Sequence, residues 1–175
     1  MANDELPMPI CDRRIAWVTD KESISGANMY QPRVFIVDDH PLVLEGFRHI
    51  LASNTTVVGT AHSGAELFEK AQGAAPDIVL LDVSLPDMSG FDLITLLKGK
   101  LPRVKIILVT MLSEPFYVSE GFQKGTDGYV LKQSASTELM TAIHTVMSNR
   151  RYVSAEVAED VRESIEYPWI RPEGF

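Results

Sequence analysis

Short runs of β-branched and aliphatic residues alternate with longer stretches of helical periodicity between Arg33 and about Asn149. Five of these runs predict strands, at residues 33–37, 56–61, 77–81, 104–109 and 128–131. The third and fourth runs are apolar almost throughout, which is typical of strands that are covered on both faces. The pattern therefore predicts an α/β fold, a doubly wound sheet of five mainly parallel strands with helices on both faces.

Local signals predict where the intervening helices begin and end. Pro41 suits the first turn of the first helix, and Ser63 with Glu66 forms a capping box for the second. The remaining helices are predicted after Ser89, between Glu114 and Gly125, and from near Ser136.

Two flanking segments differ from this repeating pattern. Residues 1–32 carry scattered proline, glycine, serine and charge, which indicates a weakly ordered N-terminal extension. Either this extension is a natural appendage or translation begins near Met29. Residues 151–175 predict a short acidic helix and a tail, with Ser154 as N-cap and Ala158, Val161 and Ile165 at helical spacing. The main domain is therefore expected to span residues 33–150.

Composition narrows the classes of function. The net charge is −8, so a nucleic-acid-binding surface is not expected, because such a surface needs clustered lysine and arginine. The lone cysteine, Cys11, excludes an internal disulfide and is compatible with a reducing compartment. No apolar run approaches the roughly 20 residues that span a bilayer, and the acidic start lacks the positive flank of a secretory signal. We therefore expect a soluble, cytoplasmic protein without membrane association.

Polar residues follow four of the predicted strands at the point where each strand ends. Asp38 and Asp39 follow the first strand, Asp82 the third, Thr110 the fourth and Lys132 the fifth. The carboxyl ends of parallel strands share one edge of a sheet, so three carboxylates are expected to lie close together and repel one another. Hard oxygen ligands without cysteine or histidine suit Mg²⁺, and Lys132 supplies a second positive charge.

Four segments carry a resemblance to a known family. They are VDDHPLVLEGF, LLDVSLPDMSG, ILVTM and GTDGYVLK. These segments closely resemble the receiver domain of two-component response regulators, in particular its NarL/FixJ/LuxR-like branch, and the resemblance extends over about residues 33–150. The resemblance implies a flavodoxin-like strand order of 2-1-3-4-5. It also implies a phosphorylation-controlled switch, not an enzyme, that receives its phosphoryl group from a sensor histidine kinase or a phosphorelay protein.

The resemblance assigns roles to individual residues of this chain. Asp82 would be the phosphoacceptor, Asp39 a direct Mg²⁺ ligand, and Asp38 a ligand that acts largely through water. Ser84 would contribute its backbone carbonyl to the metal, and Lys132 would pair with a phosphoryl oxygen.

Two further residues would report the modification. Thr110 has a hydroxyl that can turn towards the acyl phosphate, and Tyr129 is the aromatic switch residue that could turn inward with it, as in a two-state switch. In the family such domains often form homodimers, either through the first and fifth helices or through the fourth helix, fifth strand and fifth helix. Regulators of this branch usually control transcription through a DNA-binding domain, for which the residues after Arg151 are too few.

Several alternatives compete with this interpretation. The chain could be a stand-alone receiver that acts through protein partners, or an inert pseudo-receiver that serves as a docking module. A phosphohydrolase of the haloacid dehalogenase type also uses an aspartyl nucleophile, but it needs a second aspartate two positions later. That position is Ser84 here.

Overall fold

The computed structural model describes residues 30–163, with side chains described up to residue 161. The predictions for the extension before residue 30, with Cys11 and Met29, and for the tail after residue 163, with Ile165, lie outside the described residues.

One parallel sheet organises the described part of the chain. Its strands are β1 (Arg33–Val37), β2 (Thr56–Ala61), β3 (Ile78–Leu81), β4 (Lys105–Thr110), β5 (Gly128–Leu131) and β6 (Tyr152–Val153). They pair in the order β2-β1-β3-β4-β5-β6. The predicted α/β class and the order 2-1-3-4-5 are confirmed. The predicted number of five strands is wrong, because the sheet also contains β6. The sequence pattern did not reveal β6, since a strand of two residues is too short to show a period.

Helices connect the strands. They are α1 (Pro41–Leu51), α2 (Gly64–Ala74), α3 (Gly90–Lys100), α4 (Pro115–Lys124), α5 (Ala135–Met147) and α6 (Ala155–Glu163), with a 3₁₀ turn at Lys132–Ser134. The cap of α2 shows how the sequence sets a helix start. Ser63 accepts a hydrogen bond from the backbone N–H of Glu66 at 3.2 Å, as the capping box predicts. The carboxylate of Glu66 accepts from the backbone N–H of His62 at 2.6 Å, so the reciprocal donor is His62 and not Ser63.

The alternation of side chains along the strands divides the core into two layers. On β1, Val34 and Ile36 pack with buried residues of α1 and α5. Phe35 and Val37 point to the other face, where buried residues of α2, α3, α4 and α6 pack. Because both faces of the sheet are covered at its centre, the interior positions of β1, β3 and β4 are apolar, and their polar side chains stand at the strand ends.

None of the helices within the described part of the chain has the length and continuous apolar character of a bilayer-spanning segment.

Candidate functional site

Three charged side chains meet where β1, β3 and β5 end. Asp38 follows β1 and is 1% exposed, and Asp82 follows β3 and is 3% exposed. The ammonium of Lys132, the residue after β5, lies 2.7 Å from Oδ2 of Asp38 and 2.7 Å from Oδ2 of Asp82. One partly buried cation, with 13% of its side chain exposed, therefore bridges two buried anions that are far apart in sequence.

Burial and pairing set the charge states of this cluster. Burial raises the pKa of Asp82 above its ordinary value, and the Lys132 ammonium offsets this rise only in part. Burial also opposes the charge on Lys132, but Asp38 and Asp82 together outweigh it, so the pKa of Lys132 is raised and the amine stays protonated. The cluster is thus held by a cation that keeps its charge and contains an aspartate whose charge is disfavoured.

Asp39 joins the cluster through His40, the residue that precedes α1. Nδ1 of His40 lies 2.7 Å from Oδ1 of Asp39 and 3.2 Å from Oδ1 of Asp38. The backbone N–H of His40 also donates to Oδ1 of Asp38 at 2.8 Å. In the sequence, Pro41 indicated only where α1 begins, and the structure adds contacts of the preceding residue, His40, to both carboxylates. The position of His40 directly after Asp38 and Asp39 is the sequence signal that could have indicated these contacts.

The loop after β3 fixes the orientation of Asp82. The backbone N–H of Ser84 donates to Oδ1 of Asp82 at 3.3 Å, and Ser84 forms an antiparallel bridge with Ser89. Gly90 packs directly under this loop, and a Cβ atom there would lie 2.5 Å from the backbone oxygen of Asp82. Only glycine can make this approach without moving the acidic residue.

Thr110 and Tyr129 converge on the loop between β4 and α4. The hydroxyl of Thr110 accepts a hydrogen bond from the backbone N–H of Leu112 at 3.3 Å. The hydroxyl of Tyr129 donates to the carbonyl of the same residue at 2.8 Å. Tyr129 is fully buried and therefore already points inward. Burial raises the pKa of its phenol, so it remains a donor. Thr110 is also buried, and its described hydrogen bond goes to this loop and not to Asp82.

The acidic cluster has the donor set of a hard divalent cation. One ligand atom from each of Asp38, Asp39, His40 and Asp82 lies within 4.8 Å of all the others. Oδ2 of Asp38 and Oδ1 of Asp39 are buried and, within residues 30–163, lie 2.7 Å from the nitrogens of Lys132 and His40 respectively without a well-aligned hydrogen bond. Such under-satisfied oxygens fit an ion of the Mg²⁺ type, which prefers carboxylates and water to imidazole.

Replacing Lys132 by methionine is expected to lower the free energy of unfolding by about 3 kcal/mol, because two buried carboxylates then lose their shared cation. Urea denaturation in the presence of EDTA measures this. Lys105→Met is the matched control: its partner Asp127 keeps Lys98 at 2.8 Å, so the loss should be at most about 1 kcal/mol. Equal losses in the two variants would contradict the bridging role of Lys132.

Comparison with known proteins agrees with this geometry. The family model described as the response regulator receiver domain matches residues 34–144, which is more than half of the chain. The chain therefore belongs to the response regulator receiver domain family.

Individual relatives agree with the assignment to the receiver domain family. The transcriptional regulatory protein MctR of Rhizobium johnstonii is 34% identical over 127 residues, which cover 71% of this chain and 59% of MctR. A LuxR-family two-component response regulator from Aurantimonas sp. has a similar solved structure, with a TM-score of 0.73, 30% identity and coverage of 77% of this chain and 97% of that one.

A third relative was solved with a phosphate mimic. It is the isolated receiver domain of RcsB from Salmonella enterica serovar Typhimurium in the presence of phosphomimetic BeF3−. Its TM-score is 0.70 at 29% identity, with coverage of 74% of this chain and 98% of that one. By contrast, the present chain spans only about three fifths of the length of curated relatives such as MctR.

Proposed function

We propose that this protein is a phosphorylation-controlled switch that accepts a phosphoryl group on Asp82. The observation that carries the proposal is the position of that carboxylate. It is buried at the end of a central strand, held by Lys132 at 2.7 Å, and within 4.8 Å of ligand atoms of Asp38 and Asp39. A buried aspartate in such a cluster is hard to explain as a packing residue.

The chemistry follows from the groups at this site. A carboxylate oxygen of Asp82 forms a bond to the phosphorus of the donor, while the bond from phosphorus to the donor atom breaks and the donor keeps the electron pair. Mg²⁺, held by Asp38, Asp39, Asp82 and the carbonyl of Ser84, would neutralise the phosphoryl oxygens. Lys132 turns from Asp82 to a phosphoryl oxygen and holds the product through a charge-assisted hydrogen bond.

The response of the fold to this modification is proposed to begin at Thr110 and Tyr129. Both bond to Leu112, so a movement of Thr110 towards the phosphoryl group changes the loop that also holds Tyr129. The surface next to α4 and β5 would then change with the state of Asp82.

The phosphoryl donor and the output are also part of the proposal. The donor would be a sensor histidine kinase or a phosphorelay protein in the cytoplasm, and modification would change association with a partner or with a second copy. Residues 33–150 would be the receiver unit, flanked by the extension 1–32 and the segment 151–175. MctR is a transcriptional regulatory protein by name. We therefore propose transcriptional output through a DNA-binding domain outside the present sequence, with direct action on protein partners as the alternative.

Intact-mass spectrometry tests the proposed modification. Incubation with Mg²⁺ and acetyl phosphate should add the mass of a phosphoryl group, and EDTA should prevent the addition because the carboxylates then repel the donor. The added mass should disappear on treatment with hydroxylamine, which cleaves acyl phosphates but not phosphate esters. A folded protein that gains no mass with Mg²⁺ would contradict the proposal and favour the inert docking module.

A further inference from the structure

The side chain of His40 has a position that the start of α1 does not explain. His40 is the N-cap residue of α1, but its side chain makes no capping hydrogen bond, and Pro41 begins the helix. The imidazole is 64% exposed, and its Nδ1 atom faces the carboxylates of Asp38 and Asp39. These two contacts, and not the helix start, therefore define where the ring lies.

The contact between His40 and Asp39 differs from an ordinary hydrogen bond. Nδ1 lies 2.7 Å from Oδ1 of Asp39, yet this oxygen is buried and, within residues 30–163, receives no well-aligned hydrogen bond. Nδ1 can instead donate to Oδ1 of Asp38 at 3.2 Å, but that oxygen already accepts the backbone N–H of His40 at 2.8 Å. Two atoms that carry lone pairs thus lie close together, and a cation bound by both would remove the repulsion.

The distances in this cluster match those between ligand atoms that share one ion. Two ligand atoms at right angles around a divalent ion, with bonds of about 2.1 Å, lie about 3.0 Å apart. The distances from Nδ1 of His40, 2.7 Å to Asp39 and 3.2 Å to Asp38, lie on either side of this value. Together with one oxygen of Asp82, the four ligand atoms all lie within 4.8 Å of one another. The imidazole nitrogen is therefore placed among the carboxylate oxygens as a further ligand atom.

The charges of the cluster also suit a divalent ion. Three carboxylates face the single ammonium of Lys132, so two formal negative charges remain when all three acids are ionised. Oδ2 of Asp38, a residue that is 1% exposed, has no well-aligned hydrogen bond in the described part of the chain. Lys132 contacts this oxygen, whereas His40 contacts Oδ1 of the same carboxylate. A cation bound by His40 can thus occupy the Oδ1 side of Asp38 without displacing Lys132.

We propose that Nδ1 of His40 is a direct ligand for a first-row transition ion such as Co²⁺ or Zn²⁺, which competes with Mg²⁺ for this site. Imidazole is a good ligand for such ions, whereas Mg²⁺ retains water in its place. Binding requires the neutral imidazole with its hydrogen on Nε2, and the exposed ring can give that hydrogen to water. The inference rests on the proposed function for the ligands Asp38, Asp39 and Asp82, but its test needs no phosphoryl donor.

Isothermal titration calorimetry of the whole chain with Co²⁺ and, separately, with Mg²⁺ tests the role of His40. Replacing His40 by alanine should weaken Co²⁺ binding at least about tenfold, because even the loss of a residue that only supports a metal ligand costs about 10–100-fold in affinity. The affinity for Mg²⁺ should change less than about twofold, because water takes the place of imidazole on that ion. Adding Mg²⁺ in excess should weaken the apparent binding of Co²⁺, since the two ions share one site.

His49→Ala is the matched control. His49 lies in the last turn of the same helix, is exposed and is not one of the four residues of the cluster. This variant should bind both ions as the wild type does. Equal changes of Co²⁺ and Mg²⁺ affinity in His40→Ala, or no change of either, would overturn the inference and leave the proposed Mg²⁺ site intact.

NMR of the histidine ring nitrogens identifies the ligand atom in the wild type. Addition of Zn²⁺ to ¹⁵N-labelled protein should shift Nδ1 of His40 and fix the hydrogen on Nε2, and the ring signals of the other histidines should stay in place. The signals of His40 are assigned by their absence from the spectrum of His40→Ala. Zn²⁺ binding without a shift of Nδ1 of His40 would overturn the inference.

The two proposals fail in different ways. A wild type that binds Co²⁺ through His40 but does not bind Mg²⁺ would support the inference and contradict the Mg²⁺ site of the proposed function. A wild type that binds neither ion would contradict both.

Discussion

Replacing Asp82 by asparagine is expected to abolish phosphoryl uptake from acetyl phosphate and Mg²⁺, from a measurable fraction of the molecules to none. The amide keeps the shape of the side chain but offers neither a negative charge nor a nucleophilic oxygen. Lys132 still has Asp38 as a partner at 2.7 Å, so the site should stay assembled. Intact-mass spectrometry of the variant and the wild type in parallel measures the loss.

The same variant should be at least as stable as the wild type, which separates lost chemistry from lost folding. Burial raises the pKa of Asp82, so its negative charge is unfavourable in the folded protein and a neutral amide relieves that cost. Asp92→Asn is the matched control, since Asp92 lies on α3 with 69% of its side chain exposed and pairs with Lys124. An equal gain of mass in Asp82→Asn and the wild type would show that another residue accepts the phosphoryl group.

Replacing Phe35 by alanine is expected to lower the free energy of unfolding by about 3–5 kcal/mol, the usual cost of emptying a buried aromatic position. Phe35 is fully buried on β1, between β2 and β3. Its ring fills the space over Gly59, where an added Cβ would lie 2.4 Å from a ring carbon. The loss is a large share of the about 5–15 kcal/mol that stabilises a typical domain. Urea denaturation followed by circular dichroism measures it.

Phe116→Ala is the control for this change, because Phe116 is 58% exposed and stands edge-on to Tyr117. Its removal should cost less than about 1.5 kcal/mol, the upper value for one aromatic pair. Similar losses of unfolding free energy in Phe35→Ala and Phe116→Ala would contradict the stabilising role of the buried Phe35 ring.

The sequence predicted the strands and helices in which apolar residues recur at a regular spacing. Strands such as residues 128–131 are apolar runs bounded by turn residues, and helices such as α4 begin at a proline and end at a glycine, here Gly125 with a positive φ of 104°. Because parallel strands place their carboxyl ends at one edge, the meeting of Asp38, Asp82 and Lys132 also followed from order along the chain.

The contacts that depend on tertiary structure could not be predicted in this way. Ser154 has the right residue type and position for an N-cap, but its hydroxyl is used by Leu131 and Glu138. Tyr129 could have pointed either way from its strand, and its burial is decided by the neighbouring α4 and α6. The contacts of His40 depend on the bend between β1 and α1, which a pattern of apolar residues does not describe.

The pairing of β6 with β5 leaves the two sides of the sheet unequal. Within residues 30–163, β2 is the outer strand at the opposite side, and its Thr60 carbonyl accepts a hydrogen bond from the ammonium of Lys70 at 3.3 Å. The guanidinium of Arg48 donates to the hydroxyl of the same threonine at 3.2 Å. Cations placed along an outer strand discourage another chain from adding to it. Resistance to fibril growth is therefore expected to depend on Lys70 and Arg48 at β2. At the other side of the sheet, it is expected to depend on the backbone pairing of β6 with β5.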